Sequence, residues 1–428
     1  MTVAPIRAAP QSATPPAEAP RSAAAFPVLL MVMFINILGF GVVVPLLPFY
    51  GQSFHAPPWA IALVFSAYSL GSFFGEPFWG RLSDRIGRRP ILISSISANC
   101  LCYLALAFAP NVFVAFGVRF LGGLAAGNGS VVQGYIADVT PDEDRAGRFS
   151  MLGAAYNVGM IIGPTLGGIF AHPGQGPAGF RIPLLIACGL SAAAVTGVTL
   201  FVRESRTETH TTDQQPSRWS MIGTAARNPV IRQLMALTFV VGFAFTGIES
   251  TFGFWSQHFF GWGPRDIAVC FGITAFVSAI CQSVITARLS RRYGEARMLA
   301  VGMVITVISM ALQPFAANGT WAIVLMTTMA IGSSVAFPNS GALMSRSIDP
   351  NHQGQIMGLN NALGALARVV GPFCAALIFS GVAFNGPFVL GAAIVAPAIW
   401  LAVAAGRSAR RLQQDPCRQN PGDTALHS

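Results

Sequence analysis

Four ionisable side chains sit inside long apolar runs of this chain: Glu76, Arg119, Glu249 and Arg368. Placing a charge in hydrocarbon costs roughly 2.5–3.5 kcal/mol on insertion scales, so a charge kept there is a candidate for moving protons or ions. Arg119 lies roughly eight residues into its run, about 12 Å at ~1.5 Å per residue. Glu249 is the one carboxylate well inside a run of the second half, and Arg368 lies near the middle of a later run. Glu76 sits close to the end of its run, where pairing with a nearby Arg is an equal reading. Two acids and two arginines also permit internal charge balance, and a static Glu249–Arg368 pair stays open. Among uncharged groups, Asn36, Tyr68, Gln133, Tyr156, Asn157, Trp255, Gln257, Asn339 and Asn361 are expected to line a cavity or to hydrogen-bond between helices. Trp255 could stack on an aromatic ligand or anchor a helix end at an interface.

Other chemistry finds no support. The seven cysteines are dispersed without a CxxC pair, the six histidines form no HExxH, and no Walker sequence occurs. No metal, cofactor or catalytic constellation is therefore expected. A membrane enzyme or a non-transporting receptor remains the rival of a different class.

The elements that must position these residues follow from composition. Hydrophobic residues make up 53% of the 428 and charged residues only 10%, far below the roughly 25% charged share usual in soluble domains. A spanning helix needs about 20 apolar residues. Twelve runs qualify: 26–50, 59–80, 90–109, 111–138, 147–171, 181–202, 230–258, 266–287, 297–317, 320–345, 354–380 and 384–405. The fold class expected is all-α integral membrane, with six-helix halves at 26–202 and 230–405. Residues 1–25 read as a disordered N-terminus, 203–229 as a linker and 406–428 as a tail.

All 26 basic residues are Arg, clustered in alternate loops such as 81–89, 145–148, 203–227 and 288–297. That is a positive-inside signal placing both termini in the cytoplasm. The partners implied are lipids and small solutes, not nucleic acid, and the unit expected is a monomer in the cytoplasmic (inner) membrane.

The halves read as copies. ARLSRRYG (287–294) echoes GRLSDRIG (80–87) at an offset of 207, and Gly371-Pro372 echoes Gly163-Pro164 at 208. Such repeats build secondary transporters that hold substrate between halves near mid-membrane.

GRLSDRIGRRPIL, Gly80 to Leu92, joins the second and third runs. Its glycines, Gly80 and Gly87, predict a tight turn. Asp84 is placed to meet helix N-termini or Arg, and Arg85, Arg88 and Arg89 to meet headgroups. The fifth run, LGAAYNVGMIIGPTLGG, presents Gly159, Gly163, Pro164, Gly167 and Gly168, a smooth face with a kink, expected to pack against the opposite half. These two motifs resemble the signature loop of the major facilitator superfamily and the fifth-helix pattern of its drug:proton antiporters. NILGFGVVVPLLPFY, YIADVTPDEDRAGRF and GQIMGLNNALGALARVVGP extend the resemblance to bacterial multidrug and tetracycline efflux carriers over about 26–405.

The resemblance implies a twelve-helix carrier without cofactor, driven by a proton gradient, in which the 80–92 loop latches the halves in one access state. It also matches Arg119 to a fourth-helix Arg associated with proton transfer, although Gly122 replaces the usual Gln. Asn36 replaces the first-helix Asp of tetracycline carriers, and 297–317 lacks their ninth-helix acid, which points away from tetracycline itself. The function expected is efflux of amphipathic compounds. A carrier of the same fold for a sugar or peptide is the rival.

Overall fold

The structure, a computed structural model, describes residues 22–140, 142–205, 228–348 and 353–414. Among the described residues all regular elements are helical, and twelve helices are long and apolar enough to cross a membrane. In chain order they are α1 (Ala25–Gln52), α2 (Pro58–Ile86), α3 (Arg88–Ala107), α4 (Val112–Val139), α5 (Gly147–Phe170) and α6 (Pro173–Phe201). The second set is α7 (Pro229–Phe260), α8 (Pro264–Tyr293), α9 (Glu295–Phe315), α10 (Gly319–Arg346), α11 (Ile356–Gly381) and α12 (Gly386–Ser408).

The predicted N-terminus 1–25, linker 203–229 and tail 406–428 lie for the most part outside the described residues. Where they are described, two helices outrun their apolar cores. The first already begins at Ser22 and the last continues to Gln414. Ala and Arg are good helix formers, so the backbone continues beyond the hydrocarbon-crossing stretch.

The turn after α2 is also tighter than the motif suggested. Residues 80–86 continue the helix, and Gly80 is an interior residue. The chain turns at Gly87 alone, where φ is +101°, a conformation a β-carbon disfavours. Gly294 does the same between α8 and α9 at φ +86°. A second structural echo sits at the starts of α4 and α10. Asn111 and Asn318 both cap their helices, accepting from Val114 N at 2.9 Å and Trp321 N at 3.0 Å.

Each half packs its spans in the same order. In the first half α1 lies on α5 and α3 on α6; in the second, α7 lies on α11 and α9 on α12. The glycines make this possible, because bilayer helices gain their association from close backbone approach. A β-carbon at Gly163 would lie 2.7 Å from the Leu38 carbonyl oxygen and 2.9 Å from Gly41 Cα. One at Gly247 would lie 3.1 Å from the carbonyl oxygen of Gly371, the echo of Gly163.

α5 does pack against the opposite half, as expected, but not chiefly through its glycines. Gly159, Gly163 and Gly167 face α1 of their own half, at the Phe34, Leu38 and Val42 carbonyls. Gly168 alone of the set touches the opposite half, at Ala268 and Pro264 of α8. Sequence could show the smooth face but not which neighbour it meets. The halves join along α5 with α8 and α2 with α11.

Candidate functional site

A cavity of about 250 Å³ lies between the halves. From the first half α1 contributes Gly41, Val44 and Pro45, and α5 contributes Asn157, Met160 and Pro164. α7 presents Phe245 and Glu249, one turn apart on the same face. α8 presents Phe271, Thr274, Ser278 and Gln282, and α10 adds Met326, Ser333, Ser334 and Phe337. The wall is greasy, with a few hydroxyls and amides and a single charge. Among the described residues, Glu249 is the one ionisable side chain in the lining.

On one side the cavity is sealed between halves. Gln52 Nε2 donates to Gln257 Oε1 at 2.8 Å, and a β-carbon on Gly253 would lie 3.0 Å from Pro48. This is the Arg-poor side. Deeper in, Asn157 Nδ2 reaches Gln282 Oε1 at 3.5 Å, the outer limit of a hydrogen bond.

Arg368 is exposed on α11, the span that packs against α7, which carries Glu249, and against α2, which carries Glu76. Among the described residues no ion pair within 4.0 Å joins it to either acid. The static Glu249–Arg368 pair left open by the sequence is therefore not formed in this conformation.

Arg119 lies apart. It is 4% exposed and lines a small separate pocket with Tyr68, Asn99, Cys102 and Tyr103. Its guanidinium carbon lies 4.6 Å from the Tyr68 ring centroid, a cation–π contact, and its Nε is buried without a hydrogen-bond partner.

Of the nine residues expected in a cavity, the central lining includes Asn157. The others are elsewhere. Tyr68 lies against Arg119, and Gln257 belongs to the Arg-poor seal. Trp255 is 1% exposed, stacked with Phe252 and donating from Nε1 to Asn385 Oδ1 at 2.7 Å, so it is core and not a drug-stacking surface. Asn339 is buried and donates to the Val335 carbonyl one turn back. Asn36 is half-buried, and Gln133, Tyr156 and Asn361 are exposed, outside the lining. Polarity alone marks a residue that needs a partner: Tyr68, Trp255 and Asn339 have theirs in their own half, and Asn157 and Gln257 have theirs across the halves.

Sequence reasoning missed the three phenylalanines and the Thr274–Ser278 pair. The signal available was spacing: Thr274, Ser278 and Gln282 recur every fourth residue in an otherwise apolar run.

The 80–92 loop forms a charge network at the Arg-rich end. Arg88 pairs with Asp84 at 2.9 Å and with Asp138 at 3.1 Å, and donates from Nη1 to Ser83 Oγ at 2.6 Å. The N-terminus of α3 is capped by Glu204, whose two oxygens accept from Arg88 N at 2.7 Å and Arg89 N at 3.1 Å. A carboxylate there complements the helix dipole. Asp84 was expected to meet helix N-termini or Arg, and here it meets Arg88. Arg89 also reaches the Thr199 carbonyl at 2.7 Å, and Arg85 is exposed. These contacts lie within the first half and the start of the linker that follows it.

The model of the family described as Major Facilitator Superfamily matches residues 29–372 and 260–416. The tetracycline resistance protein of class C from Escherichia coli is 28% identical over 86% of this chain and 93% of its own length. Multidrug resistance protein 2 from Bacillus subtilis (strain 168) is 26% identical over 83% of this chain and 88% of its own. In fold, the chain is similar to a bacterial homologue of the human lysosomal transporter Spinster, solved in an inward-facing, unoccupied conformation. That likeness has a TM-score of 0.78 at 14% identity, over 92% of this chain and 98% of the other.

Proposed function

The chain belongs to the Major Facilitator Superfamily, and on that premise we propose that it exports amphipathic organic compounds across a cytoplasmic membrane by proton antiport. The observation that carries the reading is Glu249, a lone carboxylate in a greasy cavity between the halves. A proton neutralises it, and a cationic substrate needs it charged. Competition for one carboxyl therefore couples inward proton movement to outward export. Phe245, Phe271 and Phe337 supply apolar wall for an amphipathic body, and a sugar or peptide carrier would need a more polar one. The named relatives, a tetracycline and a multidrug resistance protein, support efflux as the direction.

The positive-inside rule makes the Arg-rich side cytoplasmic. With the Arg-poor side held by Gln52 and Gln257, this conformation is the one that loads from the cytoplasm. Export then requires that seal to part while the 80–92 loop closes on the second half.

The test is susceptibility of a pump-deficient bacterium expressing the chain, with and without an uncoupler. Raised resistance to several amphipathic drugs, abolished by the uncoupler and by Glu249→Gln at equal membrane level, is expected. Unchanged susceptibility across a broad panel would overturn the exporter reading.

A further inference from the structure

The polar groups around the cavity are unequally shared. Asn157 is the polar side chain of the first half in the lining, whereas α8 alone supplies Thr274, Ser278 and Gln282 along one stripe. The hydroxyls of Thr274 and Thr327 satisfy each other at 3.2 Å. Ser278 differs. Its Oγ is buried without a hydrogen-bond partner, although the carbonyls of its own helix are within a turn. Leaving a buried hydroxyl unpaired costs about 1–3 kcal/mol, and such a group in a native structure asks for an explanation. Gln282, one turn on, has a lone contact at 3.5 Å.

The backbone is also irregular at this point. Residues Cys281–Thr286 form a π-turn, and Thr286 Oγ1 donates to the Cys281 carbonyl at 3.1 Å. A π-turn accommodates an extra residue within a helix and recurs at functional sites. Here it begins one residue before Gln282, whose amide lines the cavity that also holds Glu249.

We propose that Ser278 and Gln282 are specificity-determining groups that donate hydrogen bonds to a carbonyl or ether oxygen of the substrate, while Glu249 receives its cationic centre. The preferred class is then an amphipathic organic cation with an oxygen acceptor set apart from the positive charge. This rests on the reading of the cavity as a drug site, and deepens it. The hydroxyl left unpaired in the empty site becomes paired in the loaded one, and Gln282 donates to the ligand from Nε2 while its Oε1 faces Asn157.

The experiment compares two lipophilic cations. Rhodamine 6G carries an ester carbonyl, and tetraphenylphosphonium has no hydrogen-bonding group. Equilibrium binding to purified, folded protein and gradient-driven uptake into inside-out vesicles are measured for wild type, Ser278→Ala and Gln282→Leu. Each substitution is expected to lower the preference for rhodamine over tetraphenylphosphonium about tenfold, the worth of a hydrogen bond of roughly 1.4 kcal/mol. Ser278→Ala removes one small atom, so it keeps the test valid if Gln282→Leu does not fold. An unaltered preference ratio in Ser278→Ala overturns the assignment. Binding with the expected shift in preference, but without gradient-driven uptake, supports the assignment and overturns proton-coupled export.

Discussion

Arg88 at the start of α3 and Asp138 at the end of α4 form an ion pair at 3.1 Å. The residues 207 and 208 positions later, Glu295 and Arg346, form the same pair at 3.0 Å with the charges exchanged. One contact thus survives in both halves while its sign is free. Its setting differs: the Arg88 side chain is 8% exposed and that of Arg346 is 69% exposed. The acids left behind are about equally shielded, Asp138 at 20% and Glu295 at 17% exposed, so the difference lies in the arginine: buried Arg88 also holds Asp84 and Ser83, while Arg346 sits in solvent, where a pair is worth about 1 kcal/mol or less. Arg88→Met should therefore lower thermal stability in detergent far more than Arg346→Met. Equal losses would show that the pair does not stabilise the first half through burial.

The twelve spans were legible because apolar runs of that length have one use in a membrane. The repeat was legible from Gly87/Gly294 and Gly163/Gly371, since close approach and positive φ both demand glycine. Other correspondences were hidden. Asn111 and Asn318 look like ordinary loop residues until their caps are seen, and the Glu295–Arg346 pair is masked by its reversed charge. The cavity wall was hard to read for a different reason. In a bilayer the outside of a helix is as apolar as its inside, so Phe245, Phe271 and Phe337 carry no pattern separating them from lipid-facing residues. Glu249 and Asn157 were readable because polarity stands out against that background.

Asp84 meets Arg88 within the first half, in a conformation sealed on the far side. If the loop must engage the second half when the cavity opens outward, charge at Asp84 matters more for turnover than for folding. Asp84→Asn should reach near wild-type membrane levels and export at least about fivefold more slowly, the low end of a 1–3 kcal/mol coupling. Export at the wild-type rate per molecule would exclude the loop from the cycle.

The glycines of α5 divide into two kinds. Gly163→Val would push a side chain against the Leu38 carbonyl of the same half, so the first half itself should fail to pack. Its echo, Gly371→Val, meets Phe243 and Thr246 and should damage the second half similarly. Gly168→Val instead strikes Ala268 and Pro264 of the opposite half. It should fold to near-normal levels but close poorly on the Arg-poor side, giving leak. Folded yield after size-exclusion chromatography, measured beside vesicle permeability, separates these outcomes. Loss of yield in Gly168→Val without leak would contradict the division.

Alternating access requires each half to move as a body, and two contacts in this structure test that. Cys100 of α3 and Cys188 of α6 face each other within the first half, Sγ to Sγ 3.3 Å. Gln52 of α1 and Gln257 of α7 face each other across the halves, at 2.8 Å between their amides. Oxidising the cysteine pair to a disulfide would join helices that already travel together, so export per molecule should be unaltered within experimental error. In a second chain, Gln52→Cys and Gln257→Cys are bridged by a short bis-maleimide, in a background lacking the other cysteines. That link ties the halves on the Arg-poor side, and export should stop while cytoplasm-side substrate binding persists. Cleavage of a reducible version of the bridge should restore export, which rules out simple damage. Arrest by the Cys100–Cys188 link would mean that α3 and α6 shift against one another during the cycle. Continued export with the Gln52–Gln257 bridge in place would mean that the Arg-poor seal is not the outer gate.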